Sequence, residues 1–132
     1  MIVLDASAVL ELLLRTAAGA VIERRIADPL ETLHVPHLLD VEVAQVVRRY
    51  ERKHSVTAER GKQILDDLAD LDATRYPHDV LLPRIWSLRH NLTAYDAAYV
   101  ALAEALAAPL LTCDARIGDA HGHDARVEHV QT

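Results

Sequence analysis

Ile2-Val3-Leu4-Asp5-Ala6-Ser7 and, far downstream, Leu110-Leu111-Thr112-Cys113-Asp114 are the two stretches that decide how this chain reads. Each opens with a continuous apolar run, the pattern of a strand buried on both faces, and each run stops at an aspartate. Strands of that kind belong to parallel sheets with helices on both sides. The intervening sequence supplies those helices. Ser7 is placed to cap a helix from about Ala8 to Leu14, and a second helix is expected around Ala20 to Ala27. Leu33-His34-Val35 reads as a strand ended by Pro36. Leu38 to His54 carries Leu39, Val43, Val46, Val47 and Tyr50 on one face at helical period. Thr57 caps a predicted helix over Ala58 to Leu71, Thr74-Arg75-Tyr76 is a short strand cut by Pro77, and Val80 to Asn91 reads as a further helix. Thr93 opens a strong helix over Ala94 to Ala107, stopped by Pro109, and Arg126 to Val130 mixes charge with valine as an edge strand does. Alternating strands and helices predict one α/β domain over residues 1–132 with a parallel sheet.

Composition narrows the class. Of 132 residues, 51% are hydrophobic and 26% charged, which excludes wholesale disorder. Phenylalanine is absent and aromatics make up 4%, so the core must be Leu, Val, Ile and Ala, and a base-stacking platform of several aromatics is excluded. The single Cys113 cannot form an internal disulfide and fits a reducing compartment. The N-terminus lacks the basic segment of a signal peptide, and the apolar stretch Ala8 to Leu14 is interrupted by Glu11 and too short to span a bilayer. These features predict a soluble, cytoplasmic protein with no membrane partner. The net charge of −6 argues against nucleic acid as a partner unless something cancels the negative charge locally.

The acidic residues offer that something. In open α/β sheets, ligands sit beyond the carboxyl ends of the strands, where Asp5 and Asp114 fall. A carboxylate there must be received by a hydrogen bond, a cation or water. Either one alone reads as a helix cap. Glu42 lies early in its helix at the border of the apolar stripe, and alone it reads as a surface glutamate near a positive helix end. Thr93-Ala94-Tyr95-Asp96 has the spacing of a capping box, yet a carboxylate in that first turn also faces the open end of the sheet. Converged on one crevice, four ionised carboxylates either raise their pKa values or bind a divalent cation. Oxygen-only ligands select Mg²⁺ or Mn²⁺, and one or two such ions would polarise a phosphodiester and activate water. Metal ions bridging the two would let an acidic protein engage a polyanion.

Taken together, these residues resemble those of the PIN-domain nucleases, and within them the VapC-type toxins of bacterial toxin–antitoxin systems. The resemblance is carried by Ile2 to Ser7 at the start, Glu42 within Leu39 to Val43, Asp96 within the run Thr93 to Ala103, and Asp114 within Leu111 to Asp114; it spans essentially the whole chain. It implies a three-layer α/β/α fold with a central five-stranded parallel sheet. It also implies a metal-dependent endoribonuclease whose Mg²⁺ or Mn²⁺ site is Asp5, Glu42, Asp96 and Asp114. Ser7 and Thr112 match the hydroxyls that support that acidic set. An inhibitory antitoxin and a homodimer are the partners it implies, with RNA as substrate.

Other readings compete. A PIN-like binding module with an inactive site would need none of the four acids. A phosphatase forming an aspartyl phosphate on Asp5 would want an acid two residues on, where Ser7 stands. Asp119 reads as loop and Asp40 as a helix cap. Arg48, Arg49, Arg52 and Lys53 read as a solvated face, with RNA phosphates as the functional alternative. His121-Gly122-His123, near Cys113, lacks any further zinc-site motif and reads as loop.

Overall fold

Ile2–Leu4 (β1), Leu33–Pro36 (β2), Ala73–Tyr76 (β3), Leu110–Thr112 (β4) and Val127–His129 (β5) form one sheet in the computed structural model, which describes residues 1–132. All neighbouring strands pair in parallel, in the order β3-β2-β1-β4-β5. The three residues of β1 have no solvent exposure, as their unbroken apolar run requires in the middle of a covered sheet. From β1 the chain steps outward to β2 and β3, then returns to the other side of β1 for β4 and β5. Strand order therefore reverses between β1 and β4, which opens a crevice at their carboxyl ends.

Helices Ala6–Leu14 (α1), Ala17–Arg25 (α2), Leu38–Arg52 (α3) and Ala58–Ala69 (α4) lie in the outward half. Leu82–Ser87 (α5), Ala94–Leu106 (α6) and Ala115–Asp119 (α7) lie in the returning half. Right-handed crossovers that run in opposite directions along a sheet land on opposite faces. Accordingly α1, α3 and α4 pack on one another, while α6 crosses β1, β2 and β4 with α5 against it. Every residue of α6 from Ala97 to Ala103 is buried, and its alanines let the helix approach the sheet closely. The expected three-layer α/β/α architecture with five parallel strands is the observed one.

Several boundaries differ from expectation, each for a local reason. Asp5, not Ser7, caps α1: its carboxylate accepts the Ala8 amide, and the helix begins at Ala6. Thr16 caps α2 by accepting from the Gly19 amide, so α2 starts earlier than predicted. There α1 and α2 meet backbone to backbone; a Cβ on Gly19 would lie 2.1 Å from the Glu11 carbonyl oxygen. The predicted helix over Val80 to Asn91 is a 3₁₀ turn, Asp79–Leu81, followed by the short α5 with proline in its first turn. Asp40 is not a cap. His37 occupies that position without a side-chain bond, and Asp40 instead takes a two-pronged ion pair from Arg75 on β3.

Candidate active site

The crevice between β1 and β4 is held together by side chains from both strand ends. Asp5 follows β1 directly and is 4% exposed. Ser7 donates to its Oδ1 at 2.6 Å, the Ala8 amide donates to the same oxygen at 3.0 Å, and Thr112 at the end of β4 donates to Oδ2 at 2.5 Å. The two hydroxyls are in turn acceptors, Ser7 Oγ from the Cys113 amide and Thr112 Oγ1 from the Asp114 amide, both at 2.9 Å. Each strand end thus supplies a group that satisfies the other. Burial pushes the Asp5 carboxyl above its ordinary value; the bonds from Ser7, Thr112 and Ala8 offset part of that, and the nearby Asp96 charge adds to the rise.

Glu42 and Asp96 enter from the starts of α3 and α6. Glu42 is half-buried beside the core residue Val43, and the Tyr99 hydroxyl donates to its Oε1 at 2.6 Å. Its pKa is raised by burial first, then by the charges of Asp96 and Asp5, against the lowering bond from Tyr99. Asp96 is raised by burial and by Asp114. Its backbone amide donates to Thr93 Oγ1 at 3.2 Å, which is half of the predicted capping box; its carboxylate makes no return bond to the Thr93 amide, and the Thr93 side chain acts on it instead, lowering its pKa. Tyr99, one turn after Asp96, is a site residue that sequence reasoning assigned no role. It is 2% exposed, and burial and the Glu42 carboxylate drive its phenol well above its ordinary range. The sequence signal was its spacing, three residues beyond Asp96 on the same helical face.

Asp114 caps the short α7 and behaves differently. Arg116, two residues on, donates to both of its oxygens, at 3.0 Å and 3.2 Å from Nε and 2.7 Å from Nη2. Those guanidinium bonds hold the Asp114 carboxyl below its ordinary value. The Arg116 charge also reaches Asp96, whose pKa it lowers. Arg116 was missed in the sequence, where an arginine near a helix start carries no signal of its own.

Asp5, Glu42, Asp96 and Asp114 therefore share one electrostatic neighbourhood, each coupled to at least one other: Asp96 raises Asp5 and Glu42, Asp5 raises Glu42, and Asp114 raises Asp96. The donors are all oxygen, which suits a hard cation. A carboxylate offers about four lone-pair positions. Asp5 has three of them taken and one left, Glu42 keeps Oε2 free, and the Asp96 carboxylate has the Thr93 side chain as its one hydrogen-bond partner. No three His, Cys, Asp or Glu side chains close on a point as they stand, so an ion held here would complete its shell with water, as Mg²⁺ prefers. The residues fit such an ion.

The remaining candidates lie apart from this chemistry. The His123 ring is used by backbone, its Nδ1 accepting from the Ala125 amide and its Nε2 meeting the Ile117 carbonyl. Burial pushes the Cys113 thiol up to about 11, so it is not a ready nucleophile. Asp119 closes α7 at the surface, where a loop had been expected. Arg48, Arg49, Arg52 and Lys53 are exposed and without ion-pair partners, and Arg49 borders a groove shared with Glu42, Gln45 and Tyr95. No helix is long and apolar enough to cross a membrane.

Residues 2–122 match the family model described as PIN domain. Ribonuclease VapC12 of Mycobacterium tuberculosis is 42% identical over 130 residues, covering 98% of this chain and 99% of that protein. Ribonuclease VapC9 of the same organism is 46% identical over 119 residues, covering 90% of each. Among solved structures, VapBC2 from Rickettsia felis bound to a DNA fragment from their promoter superposes with a TM-score of 0.72 at 14% identity, covering 98% of both chains.

Proposed function

The chain belongs to the PIN-domain family, and from that premise we propose that it is a Mg²⁺- or Mn²⁺-dependent endoribonuclease, the toxin of a toxin–antitoxin pair. What supports the reading most is that four carboxylates, from two strand ends and two helix starts, lie near enough at the reversal of strand order for their charges to bear on one another. That the relatives are named ribonucleases supports RNA as the substrate. The likeness to VapBC2 supports an antitoxin partner. Leu82, Trp86 and Tyr95, exposed on α5 and the start of α6, support a homodimer.

Asp5, Glu42, Asp96 and Asp114 would hold the ion, directly or through water. A divalent ion in that position supplies charge to offset the phosphodiester and lowers the pKa of water close by. The protein's part is to prepare the place. Ser7, Thr112 and the Ala8 amide fix Asp5 in one orientation, and Tyr99 fixes Glu42. Groups held this way spend no reorganisation when charge develops. Asp96, with only the Thr93 side chain on its carboxylate, keeps lone pairs to receive and orient a water. No histidine stands among these residues as a base, so activity should follow the ionisation of the carboxylates. Of the basic cluster Arg48, Arg49, Arg52 and Lys53, Arg49, which borders the groove with Glu42, would meet RNA phosphates outside the acidic crevice.

The test is incubation with defined RNAs, with and without EDTA, followed by mapping of the cleaved ends. Cleavage that stops in EDTA, returns with Mg²⁺ or Mn²⁺, and is absent in Asp96→Asn supports the reading. Cleavage indifferent to EDTA, or full activity in Asp96→Asn, refutes it. A folded protein that binds RNA equally well with either residue at position 96, and cuts none, would favour a binding module.

A further inference from the structure

Of the four carboxylates, Asp114 alone is saturated. Its Oδ1 accepts from the Arg116 amide at 3.0 Å and from Arg116 Nε at 3.0 Å; its Oδ2 accepts from Nε at 3.2 Å and Nη2 at 2.7 Å. All four lone-pair positions are used, and three of the four contacts come from one guanidinium. Asp114 has nothing to offer a cation until that guanidinium lets go. Arg116 can let go readily. Its side chain is 85% exposed, it has no other hydrogen-bond partner, and exposed ion pairs are weak. It also sits where a cation is wanted, since its charge bears on Asp96 as well as Asp114.

We propose that Arg116 is a positioning residue that stands in for the divalent ion: it holds Asp114 in place while the site is metal-free and yields both carboxylate oxygens when an ion loads. This rests on the metal-site reading above. The planar fork is the important part, because an ammonium could pair with one oxygen but not close off both. The exchange makes metal binding a competition within the chain, so the wild-type affinity is lower than the acids alone would give. It also gives the metal-free acids a partial counter-charge, which limits their mutual repulsion.

The test uses the full chain as wild type, Arg116→Gln, Arg116→Lys and Asp96→Asn. Free Mn²⁺ is read by electron paramagnetic resonance at neutral pH and low salt. Wild type is expected to bind, Asp96→Asn to bind at least about tenfold more weakly, and Arg116→Gln to bind about two- to fivefold more tightly. Arg116→Lys should fall between Arg116→Gln and wild type. On titration with Mg²⁺, the Nε–H resonance that is absent from Arg116→Gln should move with the midpoint of ion binding. An unchanged or weakened Mn²⁺ affinity in Arg116→Gln overturns the exchange while leaving the metal site standing. So does an Arg116 resonance that ignores Mg²⁺, and an Arg116→Lys protein identical to wild type shows that charge alone acts. A wild type that binds no Mn²⁺ overturns the metal site and the exchange together.

Discussion

Asp5 and Asp114 begin as near copies of one another. Each follows a fully buried strand, each caps the next helix, and the two strands are neighbours on either side of the switch in strand order. Their surroundings then part. Asp5 is enclosed, fixed by Ser7, Thr112 and Ala8, and pushed up by burial. Asp114 is reached by solvent, paired with an exposed guanidinium, and pulled down. The same local motif yields one enclosed carboxylate that resists ionisation and one that is held charged by an exposed ion pair. What separates them is not the strand or the cap but who donates: one uncharged hydroxyl from each strand end in the first case, a cation from the same turn in the other.

The largest effects should come from breaking the enclosed side. Asp5→Asn keeps an acceptor toward Ser7 and Ala8 but removes the charge; RNA cleavage should fall by about 100-fold or more while circular dichroism stays native. Next is Thr112→Val, which deletes the hydroxyl that gives to Asp5 and receives from the Asp114 amide. Both partners are left short in a residue with no exposure, and chemical denaturation should report a loss of about 1–3 kcal/mol. Tyr99→Phe strands the half-buried Glu42 by one bond and should cost about 1 kcal/mol in the same assay.

A smaller effect tests the sign of the electrostatics. Asp96 has a folded-state pKa above its ordinary 3.8, so the folded protein holds its proton more tightly than the unfolded chain does. Its contribution to stability is therefore lost as pH rises from 3.8 through the folded value, and at neutral pH its charge is a net burden on the metal-free fold. Asp96→Asn should raise the Tm in EDTA at pH 7, and the gain should vanish below pH 3.8. Asp114 runs the other way. Its depressed pKa stabilises the fold above its ordinary 3.8, and that contribution is lost as pH falls toward the lower folded value, so Asp114→Asn should lower the Tm in EDTA at pH 7. Opposite signs for the two variants would sharpen the contrast between the strand ends; equal signs would break it.

Much of this was legible because it is written locally. A continuous apolar run ending in aspartate marks β1 and β4 whatever lies elsewhere, and Thr57 and Thr93 cap the helices their spacing suggested. The four acids could be named from their positions at strand ends and helix starts. What could not be read were pairings across the chain. Tyr99 with Glu42 and Arg75 with Asp40 join residues that only the packed helices and sheet bring together. Ser7 was misplaced as the cap of α1 because two residues compete for that position within one turn: Asp5 accepts the amide, and the Ser7 hydroxyl turns to Asp5 and Cys113 instead. The helix expected over Val80 to Asn91 shrinks to the 3₁₀ turn Asp79–Leu81 and the short α5, while the apolar residues Ile85, Leu88 and Leu92 run on past the end of α5.

The central claim, that these carboxylates hold a hard cation, is met most directly by diffraction from crystals grown with Mn²⁺, with anomalous scattering used to place the metal. The expected result is a peak in the crevice bonded to Asp5 and to at least one of Glu42, Asp96 and Asp114, its shell completed by water. A crevice without a peak at saturating Mn²⁺, or a peak bound instead by His121 or His123, would contradict the account.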